Sequence, residues 1–289
     1  MKHSLLTWLL FLFITASSLS AQQLDEQQEF ILLTIPKCGS NLINKFLILA
    51  SKKRTRGPRK WFPKYAKKRC LTDSFDVVNY LTPKDIEKVV AEAKGLSNYL
   101  YSHTNFSRPF LDYLRKHNEM KIVLQIRDLR DACISLVYWH HDLIVEAIGE
   151  ESTFDEKLSF VISGSDSIYK NRVFNLRRCA LRAVEMIKHP NVVVSRFEDL
   201  VGDKGGGNDA TQLALIKKLV DELNLPLSAT EQESIASILW GDDHGVQPTF
   251  RQGQINKWKE IFTPEHTNLF KKYFGSLLIQ LGYEQDNNW

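Results

Sequence analysis

The chain has 289 residues, 43% of them hydrophobic and 25% charged, with a formal net charge of +4. That length and apolar fraction support one large domain with a substantial core, and exclude a repeat array or a disordered polymer. The charge excess is too small to argue for nucleic acid as a partner, so function has to be read from local patterns.

Lys2 and His3 precede an apolar run from Leu5 to Ile14, followed by small residues from Ala16 to Ala21. This is the three-part pattern of a secretory signal peptide over 1–21, cleaved near Ala21, and it implies a secreted or lumenal protein. Residues 4–24 carry no formal charge, which is enough length for a bilayer span. An uncleaved anchor is therefore the alternative, and the only membrane association expected. Cys38, Cys70, Cys133 and Cys179 include no Cys-x-x-Cys pair. Four cysteines at such spacings predict neither a disulfide framework nor a metal site.

Phe30 to Ile35 is a short apolar run that reads as a buried strand. It passes through Pro36-Lys37-Cys38-Gly39-Ser40-Asn41 into apolar positions 42, 43, 46, 47 and 50, which is helical spacing. A helix entered at Gly39 directs first-turn amides and its positive dipole end into the turn. Lys37 adds a charge, and Ser40 and Asn41 add side-chain donors. The stretch is either an anion cradle or an ordinary strand–helix turn with a lysine in it. In the first case, Lys37 and the helix start are expected to lower the Cys38 thiol pKa.

From Lys52 to Arg69 there are ten basic residues, and no acid occurs between Glu29 and Asp73. Gly57, Pro58 and Pro63 break any long helix, so this is expected to be an irregular basic arm bearing Trp61, Phe62 and Tyr65. Its charge suits an anionic polymer such as an acidic glycan; a solvated loop without a partner is the plainer reading.

Thr82-Pro83 starts a helix that ends near Gly95. Asn98 to Ser102 reads as a strand that delivers His103, a helix follows over 108–117, and the strand Lys121 to Ile126 delivers Arg127. A last strand runs from Val192 to Phe197. Strands separated by helices predict an α/β domain over 30–285, with a central parallel sheet flanked by helices in three layers. Ligands of such sheets bind beyond the carboxyl ends of the strands, where Lys37, His103 and Arg127 all fall. That convergence favours the anion cradle. His140 and His141 read as a surface pair, and His244 as a turn residue. Gly205-Gly206-Gly207 is expected to be a flexible loop.

A Walker A loop needs Gly-x-x-x-x-Gly-Lys-Ser/Thr, which the chain lacks. The domain is thus P-loop-like without an ATPase signature, and a kinase is a weak reading. The sequence instead resembles the sulfotransferases that use 3'-phosphoadenosine 5'-phosphosulfate. Pro36 to Asn41 is similar to their 5'-phosphosulfate loop, and Arg127 to Ser135 to their 3'-phosphate motif. Tyr101-Ser102-His103 is similar to the segment carrying the catalytic histidine. Phe250-Arg251-Gln252-Gly253, with Lys257-Trp258-Lys259, resembles the C-terminal Arg-Lys-Gly and Trp-Lys segment.

The resemblance implies transfer of a sulfuryl group to a hydroxyl of a carbohydrate or small molecule, with no metal. His103 is then the base, since an imidazole near its ordinary pKa suits proton abstraction. Lys37, with the loop residues Cys38, Gly39, Ser40 and Asn41, stabilises the leaving phosphate. Arg127, Ser135, Arg251, Gln252 and Gly253 hold the 3'-phosphate, and Phe197 lies near the adenine. Several positions depart from the family: Leu42 replaces a stacking tryptophan, Phe197 a tyrosine, Tyr101 a lysine and Gln252 a lysine, while Pro264 and Asn268 erode a dimerisation pattern. These departures keep open a non-catalytic relative that binds nucleotide or an anionic polymer. Asn105-Phe106-Ser107 is a glycosylation sequon beside the expected base, where a glycan would crowd the site.

Overall fold

The computed structural model describes residues 30–50, 99–103, 108–117, 120–164, 175–241 and 252–289. The signal segment, the basic arm, the helix expected from Thr82, Cys70, the sequon, His244 and Arg251 lie outside the described residues.

Among the described residues, four parallel strands form one sheet: β1 (Phe30–Thr34), β2 (Tyr99–His103), β3 (Lys121–Ile126) and β4 (Val192–Arg196), in the order β2-β1-β3-β4. β1 is flanked by β2 on one side and β3 on the other, so the direction of winding reverses between β1 and β3. The crevice at that switch point is where a doubly wound sheet leaves room for a ligand. β2 extends one residue further than the spacing predicts and includes His103. β4 ends at Arg196, and Phe197 opens a helix.

Alternate residues of the strands feed two cores. Ile31, Leu33, Ile122, Leu124 and Ile126 pack with Leu111, α3 (Leu129–Trp139), α5 (Phe154–Ser163), α6 (Leu176–Ile187) and α11 (Pro264–Gln280). Phe30, Leu32, Val123 and Val193 pack with α1 (Ser40–Ala50), α8 (Asp209–Glu222) and α9 (Ala229–Leu239). This makes three layers, as the strand–helix alternation predicts. Leu111 belongs to α2 (Arg108–Lys116), and α4 (His141–Ile148) and α7 (Phe197–Leu200) are the other helices before α8 among the described residues. α1 buries Ile43, Phe46, Leu47 and Ala50. Phe46 is fully enclosed, and its truncation to alanine would cost about 3–5 kcal/mol.

Caps fix several helix starts. Thr153 and Glu156 form a capping box on α5, and Ser228 and Glu231 one on α9. α11 opens with Thr263 as N-cap and Pro264 in the first turn.

The glycine run is not a flexible loop. It forms a 3₁₀ turn over Asp203–Gly205, closed by Gly206 N–H to the Asp203 carbonyl at 2.9 Å. Gly205 is buried, and a Cβ there would lie 2.1 Å from Val201 and 2.8 Å from the Gly253 carbonyl. Gly205 leaves room for this turn to pack against segment 252–255. Ile255 N–H bonds to the Gly205 carbonyl at 3.1 Å, and Gln254 Nε2 donates to the Lys204 carbonyl at 2.9 Å.

Candidate active site

The turn after β1 is tight and pinned from beneath. Cys38 N–H returns to the Ile35 carbonyl at 3.1 Å, Ile35 N–H reaches the Gln125 carbonyl at 3.3 Å, and Gln125 Nε2 donates to the Cys38 carbonyl at 3.1 Å. The first intrahelical bond of α1 runs from Ile43 N–H to the Gly39 carbonyl at 3.2 Å, so the helix opens at Gly39 as its sequence predicts. Gly39 has φ +86°, and a Cβ there would sit 2.3 Å from the Phe197 ring. Both the backbone angle and the close approach require glycine. Lys37 also adopts a left-handed φ, +65°, which is uncommon for a residue with a side chain.

The Cys38 thiol contradicts its expected activation. It is fully buried, and burial pushes its pKa well up despite the nearby Arg127. Desolvation of the thiolate outweighs the favourable charge, so Cys38 contributes backbone groups to the turn and its thiol stays protonated. Cys133 and Cys179 are likewise buried.

Arg127 leaves the end of β3 half-buried. Its Nη2 donates to the Gln254 carbonyl at 2.6 Å and lies 3.7 Å from the Asp131 carboxylate, and its guanidinium stacks 4.4 Å over the Phe197 ring. Phe197 thus touches both the guanidinium and the Gly39 backbone, and at 5% exposure it is an internal spacer between them. Asp131 accepts Asn256 N–H at 2.8 Å and Trp258 N–H at 2.9 Å; burial pushes its carboxyl pKa up. Asp131 and Ser135 share a face of α3, being four residues apart, and Ser135 is half-buried.

Glu198 supports the same region from below. It accepts Asp128 N–H and the Tyr283 hydroxyl, both at 2.9 Å, and burial raises its pKa. Lys37 Nζ lies 4.3 Å over the ring of Trp139, at the end of α3. His140, expected at the surface, is half-buried beside it, and burial together with the Lys37 charge lowers its pKa to about 4. His141 is exposed, as expected.

His103 ends β2 in register with Thr34, which is in register with Gln125, itself paired with Ser195. A row of polar residues thus crosses the sheet at its carboxyl edge, at the last residue of β1 and β2 and the next-to-last of β3 and β4. Ser40 and Asn41 are half-buried in the first turn of α1, Gln252 is exposed, and Gly253 has φ +61°. Leu42 packs against the α1-side core. Among the described residues, no group of three or more His, Cys, Asp or Glu is placed to hold a metal.

Residues 27–207 match the model of the sulfotransferase domain. The chain belongs to the sulfotransferase family. Its fold is similar to that of a mouse sulfotransferase, SULT7A1, in a crystal structure complexed with PAP: the TM-score is 0.54, the identity 14%, and the match covers 89% of this chain and 88% of that one. No curated protein matches the sequence. The matched span contains the β1 turn, His103 and the Arg127 motif, whereas segment 252–259 lies beyond it. Sulfuryl transfer is accordingly the reaction of this sulfotransferase, and a hydroxyl-bearing acceptor follows in general terms.

Sequence reasoning missed Gln125, Asp131, Glu198 and Trp139. Gln125 carried a signal, being a lone amide inside an apolar strand. Asp131 and Glu198 carried none, since every backbone amide or hydroxyl they accept lies 70 or more positions away along the chain.

Proposed function

We propose that this sulfotransferase takes its sulfuryl group from 3'-phosphoadenosine 5'-phosphosulfate and passes it to a hydroxyl of a carbohydrate or small-molecule acceptor. One observation carries the reading: the amide-lined turn at Gly39 and the guanidinium of Arg127 flank the same buried ring, Phe197, at the sheet's switch point. Two anion-binding elements held together in this way suit a donor with two separated anionic groups.

The residues present fit the donor's charged groups. The first-turn amides of α1 suit an anionic group, and Arg127 offers a planar fork for a phosphate. The adenine is fitted less well, because Leu42, half-buried against the α1-side core, offers no aromatic ring to stack on it. The donor supplies an activated sulfuryl group. Lys37 and the α1 amides stabilise negative charge on the departing phosphate oxygen. Arg127 and Ser135 hold the 3'-phosphate, together with Arg251, Gln252 and Gly253. His103 takes the proton from the acceptor hydroxyl.

The signal-like residues 1–21 support an exported protein, and the basic arm from Lys52 to Arg69 supports an anionic glycan as acceptor. Sequencing of exported protein should find Gln22 at its N-terminus; retention of residues 1–21 would favour the anchor.

Labelled donor incubated with a panel of glycans and phenols tests the reaction. Transfer to at least one hydroxyl is expected, and His103→Ala should lower it by about 100-fold or more while adenosine 3',5'-bisphosphate still binds. Tight nucleotide binding without transfer to any acceptor on the panel would count against the proposed chemistry.

A further inference from the structure

Segment 252–261 is held in an unusual way. Its short helix, α10 (Trp258–Ile261), has no fully buried residue. Asp131 fixes it through the Asn256 and Trp258 amides, Arg127 through the Gln254 carbonyl, and the glycine turn through Ile255. Elements held by few apolar contacts open locally at low cost, so what covers this segment matters.

The cover is segment 281–289. It folds back along α11, where Gly275 admits Asn287 so closely that a Cβ would stand 2.4 Å from its Oδ1. Trp289 packs edge-on against Phe270 at 6.1 Å and Trp258 at 5.7 Å. The guanidinium of Arg130 sits in the corner of this edge-on pair, 3.7 Å from the Trp258 ring and 4.5 Å from that of Trp289. Arg130 is 3% exposed and grips both oxygens of Asp128 at 2.7–3.1 Å. Glu284 Oε1 pairs with Arg130 Nη1 at 2.6 Å, away from the N–H direction. Tyr283 bonds to Glu198, which in turn receives Asp128 N–H.

We infer that segment 281–289 is a positioning strap, acting through Arg130 and Trp258 to hold segment 254–258 against Asp131 and Arg127. Because Arg127 is the arginine assigned to the donor's 3'-phosphate, the inference rests on the donor reading above. The chain of contacts runs Trp289, Arg130, Trp258, Asp131, Arg127. α3 does not need the strap in order to fold, since Leu129, Ala132, Cys133, Ile134, Leu136 and Val137 bury themselves in the sheet's core. Removing Trp289 takes away one of the two rings against the Arg130 guanidinium and leaves the Trp258 ring in place. The effect therefore concentrates on the segment and on the arginine it positions.

The test compares wild type, Trp289→Ala and Trp289→Phe by hydrogen exchange and by titration with adenosine 3',5'-bisphosphate. In Trp289→Ala, exchange at the Asn256 and Trp258 amides should accelerate about tenfold while β3 and α3 stay protected. Nucleotide affinity should fall by about tenfold, the equivalent of one partly desolvated cation–π contact. Trp289→Phe, which keeps an aromatic face, should restore both readouts to within about threefold. Unchanged exchange at Asn256 and Trp258, or unchanged affinity, overturns the strap while leaving the donor reading standing. Equal acceleration throughout β3 and α3 also overturns it, because the tail would then be general structure. Failure of the wild type to bind the nucleotide removes the donor reading and the positioning role together, and the wild-type titration alone identifies that case.

Discussion

Asp131 receives the backbone N–H of Trp258 at 2.9 Å across 127 residues of sequence. With its other oxygen on Asn256 N–H, one carboxylate at the start of α3 organises the approach to α10. Asp131→Ala leaves two amides without their acceptor and should destabilise the protein by about 2–4 kcal/mol. Asp131→Asn keeps one acceptor oxygen and should lose less. Urea denaturation of the three proteins checks the order, and equal stability of wild type and alanine variant would contradict it.

Gly39 is in contact with Phe197, so the turn cannot take a side chain. Gly39→Ala combines a left-handed φ with a Cβ 2.3 Å from a buried ring, and should cost about 2 kcal/mol or more. Nucleotide binding should suffer as well, because the turn must shift. Adding Phe197→Ala to Gly39→Ala removes the clash but not the backbone strain, so the two substitutions should couple in a double-mutant cycle. Simple additivity would mean that the ring yields freely.

His140 gives an acid-side signature. Its folded-state pKa is lowered to about 4 by burial and then by Lys37, so between that value and its ordinary range the unfolded chain binds the extra proton. The stability it contributes is present above the ordinary histidine range and lost as pH falls towards 4. A discount for partial solvent contact puts the loss on the order of 2 kcal/mol. His140→Gln should reduce the stability difference between pH 7 and pH 4.5, measured by thermal or chemical denaturation. An identical difference in the variant would place the acid sensitivity elsewhere.

Glu198 has the opposite sign. Burial raises its folded-state pKa above the unfolded value, so its contribution is present below the usual carboxylate range and lost as pH rises through the folded value. Glu198→Gln does not titrate and keeps an acceptor for Asp128 N–H. Melting curves should show the wild type falling behind this variant as pH rises from about 4.5. A gap that is constant with pH would mean that Glu198 titrates alike in the folded and unfolded chains.

Much of the fold is legible because its signals are local. Apolar runs of strand length alternating with helical spacing predict parallel strands, and β1, β2, β3 and β4 occupy the expected stretches to within one residue at either end. The opening of α1 at Gly39 follows from one glycine beside a helical pattern. The glycine run at 205–207 misleads for a physical reason: composition cannot tell a turn that needs freedom from one that needs room for a neighbouring backbone, and Gly205 needs room.

The sequence by itself determined which residues end the strands, and therefore which chemistry reaches the sheet's carboxyl edge: Lys37, His103 and Arg127. Only the tertiary structure decided how those ends are coupled. Burial decided that the Cys38 thiol stays protonated and that His140 stays neutral, because desolvation depends on what surrounds a group and not on its sequence neighbours. The contacts joining Arg127 to Phe197, Asp131 to Trp258 and Arg130 to Trp289 link positions far apart in the chain. Such pairings arise from the packing of whole elements, which no local pattern encodes.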